Sequence, residues 1–142
     1  MNENLTESAA GNQGLTTAAV QNWMEGYKEA WETFDADKVV QLFTENAIYN
    51  DQPYEDPHLG RTGIHKYWSD ITTDQKDVEF TYDVLAVTGN TGIAYWHSEF
   101  TSRSTGAGIT LDGMFVLDFA NDGLCQNLRE WWHLKVDPIG DS

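Results

Sequence analysis

Two acids and a phenol are the residues whose type and placement could do chemistry. Asp51 follows a short run, Ala47 to Asn50, and opens the turn-rich stretch DQPYEDPHLG. Glu130 shares one side of an alternating run with Leu128 and Trp132, and apolar surroundings make a carboxylate more basic. Tyr27 lies on the apolar stripe of a helical segment, where a phenol hydroxyl can stabilise charge developing on an oxygen. Together they suit general acid–base proton transfer on a carbonyl compound. Each also has a structural reading. Asp51 is a common turn residue before a proline, here Pro53, Tyr27 is a core ring, and Glu130 is half of a salt bridge or faces solvent.

Other chemistries lack their signatures. His58, His65, His97 and His133 have no metal-ligand spacing, and no HExxH or paired CxxC is present, so no metal or cofactor is expected. Of the four, only His58, on its loop, has a route to a pocket mouth. No Gly-x-Ser-x-Gly, Walker loop or Gly-x-Gly-x-x-Gly occurs, which removes serine-hydrolase, nucleotide and dinucleotide readings. What the sequence offers instead is rings. Trp31, Trp68, Trp96, Phe115 and Trp132, with Tyr27, suit a cavity for a small hydrophobic molecule, or else simply fill an interior.

The elements that must position these residues follow from periodicity. Val20, Trp23, Met24, Tyr27, Trp31 and Phe34 recur at three- and four-residue steps, the pattern of one helix face. Thr16 or Thr17 can cap its start. A second, shorter helix after Asp35 carries Val39, Val40, Leu42 and Phe43, and a third opens at Thr62 with Ile64, Tyr67, Trp68 and Ile71 on one side. After Lys76 the period becomes two. Four runs, Asp77–Val87, Ile93–Arg103, Ile109–Phe119 and Leu124–Val136, are separated by the turn sequences TGNTG, STGAG and ANDG. Helices first and an antiparallel meander second predict an α+β domain with the helices on the concave face of the sheet.

Alternation assigns the faces. Ala94, Trp96, Ser98 and Phe100 point inward with Gly113, Phe115, Leu117 and Phe119, and with Gln126, Leu128, Glu130, Trp132 and Leu134. Tyr95, Met114, Val116 and Trp131 fall outside, with His97 and His133. That outer set is too apolar to be left in water, so a homodimer through the outer sheet face is expected. The predicted pocket joins Tyr27, Asp51, Trp96, Phe115 and Trp132.

Composition bounds the rest. The 142 residues make one domain, expected over 16–142 behind a loose tail at 1–15. With 23 Asp+Glu against 8 Lys+Arg, the net charge of −15 repels phosphate backbones and acidic membrane faces. No apolar run approaches the roughly 18–20 residues of a membrane span. One cysteine and a start without signal-peptide features lead to the expectation of a cytoplasmic protein with no nucleic-acid or membrane partner.

The stretch VQLFTENAIYNDQPYEDPHLGRTGIHKYW, with its Leu-Phe pair, acidic turn, Pro-rich loop and Gly-Arg-x-x-Ile helix start, resembles the SnoaL-like members of the nuclear transport factor 2-like superfamily. DGLCQNLREWWHLK resembles that family's last strand. The resemblance implies a cone-shaped α+β barrel with a pocket at its open end, often dimeric, whose roles run from isomerase or cyclase on a hydrophobic carbonyl or polyketide-like compound to a non-catalytic small-ligand-binding or dimeric scaffold module. By similarity to ketosteroid-isomerase-like members, Asp51 matches a general base and Tyr27 an oxyanion-stabilising phenol. SnoaL-like cyclases imply an acid–base role for Glu130. The protonated Asp of the isomerases falls at or near Phe115, so that donor is missing at its expected place. The Asp-Arg-Asp trio of an epoxide hydrolase is not matched, since Arg61, Arg103 and Arg129 all fall off the inward strand faces.

Overall fold

The computed structural model describes residues 14–137, which excludes most of the expected tail; Leu15 packs against the core. Helix α1, Thr17–Glu32, starts where the Thr16 hydroxyl accepts from Ala19 N–H at 3.0 Å. It buries Val20, Trp23, Met24, Tyr27 and Trp31, as the stripe predicts. Phe34 does not join the stripe. It lies past the helix end with φ +56° and is partly exposed.

Asp35 caps α2, Ala36–Val40, accepting from Lys38 N–H. This helix stops sooner than expected, because Phe43 already belongs to β1, Phe43–Asn50. The two-residue strand β2, His58–Leu59, pairs antiparallel with β1 and leads into α3, Gly60–Ile71. A 3₁₀ turn, Thr72–Asp74, delivers the chain to the meander: β3, Gln75–Thr88; β4, Thr91–Ser102; β5, Gly108–Phe119; and β6, Cys125–Val136.

The six strands form one sheet in the order β2-β1-β6-β5-β4-β3, antiparallel except for β1 with β6. It curves round the helices without closing, the α+β arrangement that the pattern predicts and the cone that the resemblance implies. Polar contacts pin α1 to the β3 edge: Lys28 Nζ donates to Phe80 O at 2.9 Å, and Phe80 N–H donates to Glu32 Oε2 at 2.9 Å.

Alternation holds along β4 and β5, where Ala94, Trp96 and Ser98 and then Gly113, Phe115, Leu117 and Phe119 are buried. It slips at the start of β6. Asp118 pairs with Asn127 but Phe119 pairs with Cys125, so Gln126 is a bulge residue. Gln126 is exposed and Cys125 is buried, the reverse of the expectation, because the extra residue flips the alternation. Beyond the bulge, Leu128 and Glu130 return to the buried side.

Candidate active site

The concave face of the sheet and the rims of α1 and α3 enclose a cavity of about 280 Å³. Asp51, Glu130 and Tyr27 all line it, with Trp31, Trp68, Trp96 and Trp132. Each arrives from a different element. Tyr27 and Trp31 come from successive turns of α1, Trp68 from α3, Trp96 from β4, Glu130 and Trp132 from one face of β6, and Asp51 from the residue after β1.

Two expected wall residues are displaced. Phe115 is fully buried behind the wall, its ring 5.2 Å from that of Tyr27 and 5.5 Å from that of Trp96. A bulky apolar ring facing a layer of other rings belongs to the core. His58 does not line the cavity either, because its ring stacks on Tyr67 at 4.2 Å.

The polar groups form two connected sets. Tyr27 and Tyr49 share a hydrogen bond at 2.9 Å, and Tyr49 Oη donates to Glu130 Oε2 at 3.3 Å. A hydroxyl has one proton to give, so in this direction Tyr27 donates to Tyr49 and keeps none for a ligand oxygen. In the second set, Tyr67 Oη donates to Asp51 Oδ1 at 2.6 Å, and Trp132 Nε1 donates to the Asp51 carbonyl at 3.0 Å. Gln75 accepts from Trp31 Nε1 at 2.8 Å and closes the far wall.

Burial governs the electrostatics. The Glu130 carboxyl is held well above the usual carboxylate range, first by desolvation and then by the negative charge of Asp51, against the Tyr49 donor. Burial therefore favours the protonated form of this acid. Tyr27, Tyr49 and Tyr67 are likewise pushed well above the ordinary phenol value, by burial and then the charge of Glu130. They serve as neutral donors. No group of three or more metal-ligating side chains occurs among the described residues. Arg61 donates to the Phe43 carbonyl and Arg103 to the Gln75 carbonyl, so neither supplies a cavity cation.

Comparison with known proteins adds the family. A SnoaL-like domain model matches residues 24–127. The chain belongs to the SnoaL-like family. Among solved structures it resembles SalBIII, an epoxide hydrolase/cyclase-like enzyme of pyran ring formation in the polyether salinomycin, with TM-score 0.71, 20% identity, and coverage of 82% of this chain and 94% of that one. A presumed isomerase from Bacillus subtilis gives TM-score 0.73 at 20% identity, covering 82% and 87%. A presumed aromatic ring hydroxylase from Novosphingobium aromaticivorans gives 0.69 at 21%, covering 84% and 91%. No curated protein matches the sequence.

In this SnoaL-like domain, Tyr49, Tyr67 and Gln75 escape a reading of the sequence for function. Tyr49 carried a signal, since it lies two residues before Asp51 and so on the same strand face. Tyr67 sits on the recognised stripe of α3, but its contact with Asp51 depends on the path of the Pro-rich loop. Gln75 carried none.

Proposed function

We propose that this SnoaL-like protein is an acid–base catalyst that moves a proton on a small, neutral, hydrophobic carbonyl compound, as an isomerase or a cyclase does. The observation that carries the reading is Glu130, buried beside Asp51 in an aromatic cavity where desolvation favours its protonated form. Asp51 is the base. It takes a proton from carbon next to the carbonyl, while the Glu130 carboxyl donates a hydrogen bond to the oxygen as the enolate forms. Asp51 then returns the proton to a second carbon, or the enolate carbon attacks a second carbonyl of the same substrate, closing a ring while that carbonyl's π bond breaks and its oxygen takes the proton from Asp51. Tyr67 orients Asp51, and the Tyr27–Tyr49 pair orients Glu130, so Tyr27 is a positioning residue rather than a direct oxyanion donor. An anionic ligand is disfavoured by the two acids and by the net charge of −15.

The test is turnover on a panel of activated ketones, with Asp51→Asn, Glu130→Gln and Tyr27→Phe compared after each is shown to fold. Loss of about 10²–10⁴-fold is expected for Asp51→Asn, the usual range for a general base, and a smaller loss for Tyr27→Phe. Unchanged turnover in both acid variants would remove the site. No turnover in the wild type would leave a non-catalytic module that binds a small hydrophobic ligand.

A further inference from the structure

The cavity does not end at its aromatic walls. A second recess of about 430 Å³ shares Ile71, Gln75, Phe100 and Leu134 with it and runs on to Ile109 and Val136. The sheet register explains why this surface is continuous. Leu111 pairs with Leu134 and Ile109 with Val136 across β5 and β6, while Phe100 pairs with Ile109 across β4 and β5. All five point to the concave side, on the alternation that also carries Glu130 and Trp132. The apolar strip is left open at its far end, where Leu134 and Val136 are 51% and 55% exposed. From Glu130 to Val136 is six residues of strand, about 20 Å at the usual rise.

We propose that the ligand of this site is elongated, with a neutral carbonyl head at Asp51 and Glu130 and an unbranched apolar tail lying along Leu134, Ile109 and Val136. The placement of the head rests on the acid–base reading above; the tail rests on the recess. Continuity decides the occupant, because a molecule filling the cavity has this strip as its exit. The head is a ketone, aldehyde or ester rather than a free acid, since a carboxylate would meet the charge of Asp51 in a low-dielectric site. The far end is polar but already satisfied. Asp74 accepts from the Ser102 hydroxyl at 2.7 Å and from Ser104 N–H at 2.7 Å, so nothing there calls for a second charged group on the ligand.

Calorimetric titration of the full chain with 2-pentanone, 2-heptanone, 2-nonanone and 2-undecanone, and with decanoate, tests the assignment. Full burial of a methylene corresponds to roughly a fourfold gain in affinity. A half-open strip should give about twofold per methylene, or about 60-fold over the six methylenes between the shortest and longest ketones. Decanoate should bind at least tenfold more weakly than 2-nonanone at pH 7. Val136→Asp, at an exposed position, should weaken 2-undecanone at least tenfold and leave 2-pentanone unchanged. Equal affinity along the series, no binding of any ketone, or equal weakening of all by Val136→Asp would overturn the tail site. Tighter 2-undecanone binding by Ile139→Asp would overturn it in favour of the chain's own C-terminal segment. Failure of the acid–base reading gives a different result: Glu130→Gln leaves turnover unchanged while the chain-length series persists.

Discussion

Glu130 stands directly opposite Phe115 across the ladder of β5 and β6, and both side chains are buried on the concave side. The position at which the ketosteroid-isomerase-like pattern would place a protonated acid holds a phenyl ring, and the neighbouring strand supplies a buried carboxyl whose protonated form is favoured. On the acid–base reading proposed above, the donor sits one strand away from that position while Asp51 keeps its place as the base. A cross-strand exchange of this kind preserves a base and an acid in the same cavity but changes the angle at which the acid meets a substrate oxygen. Steroid-like substrates should therefore be turned over poorly even if smaller ketones are accepted.

The raised Glu130 pKa makes stability fall with pH. The folded state keeps the proton after the unfolded chain has released it, so the native state binds more protons, and stability declines from the ordinary glutamate range upward until the folded pKa is passed. One such group gives a slope of about 1.4 kcal/mol per pH unit. Glu130→Gln keeps the shape and cannot ionise, so it should remove this slope and be more stable than wild type at pH 7 while losing turnover. Urea unfolding of the two proteins at pH 5, 6 and 7 measures it. Parallel stabilities across that range would show that Glu130 is ionised in the folded protein.

Tyr67→Phe isolates the orientation of the base. The phenol donates to Asp51 Oδ1 at 2.6 Å, while the ring keeps its stack with His58. Loss of the hydroxyl should cost about 1.5–3 kcal/mol of stability, the value of a hydrogen bond to a charged group. Turnover should drop by roughly tenfold, since a carboxylate free to rotate is aimed at the substrate less often. An unchanged kcat with a raised KM would assign Tyr67 to ligand binding instead.

The helix faces and the inward sets of β4 and β5 were legible because each side chain there follows from a simple period and short turns that fix the register. Gln126 was not, since a bulge depends on how Asp118 and Phe119 meet their partners on β6 and leaves no mark in one strand alone. The two acids were each recognisable from their immediate neighbours. Their meeting was not, because it needs the parallel pairing of β1 with β6, which sets Asn50 beside Arg129. His58 reads from the sequence as a loop residue within reach of a pocket mouth, because one strand's pattern does not carry the loop's path; β2 instead ties it to Tyr49.

Gly113 tests whether the tryptophan layer is close-packed. It sits between Trp96 and Trp132 in register across three strands. A Cβ there would lie 2.7 Å from the Trp131 carbonyl, 2.8 Å from the Trp96 ring and 2.9 Å from the Trp132 Cβ. Two of these neighbours are backbone or near-backbone atoms that cannot swing away. Gly113→Ala should destabilise by about 3 kcal/mol, the upper end of overpacking costs, and should weaken ketone binding by displacing both rings. Thermal denaturation would measure the loss, and a change below about 0.5 kcal/mol would show that the β5–β6 spacing relaxes freely.

The convex face of the sheet carries the last prediction. Tyr95, Met114 and Trp131 form one row across β4, β5 and β6, and Trp131 is 46% exposed. An indole left half in water on a sheet face is a natural anchor for an interface. Acidic and basic groups flank the row: Asp112 beside Tyr95, Glu99 with His97, and Arg129 opposite Val116. Two copies related by a two-fold axis can set the rows face to face and bring each copy's Arg129 toward the other's acids. Such pairing would offset part of the repulsion between two chains of net charge −15. A homodimer at micromolar concentration is expected, with dissociation favoured by low salt, where that repulsion is least screened. Trp131→Glu should give a monomer with the fold intact, because the residue supports no part of the inner layer. Sedimentation velocity of both proteins at two ionic strengths reads the result, and a wild-type monomer in both would end the proposal.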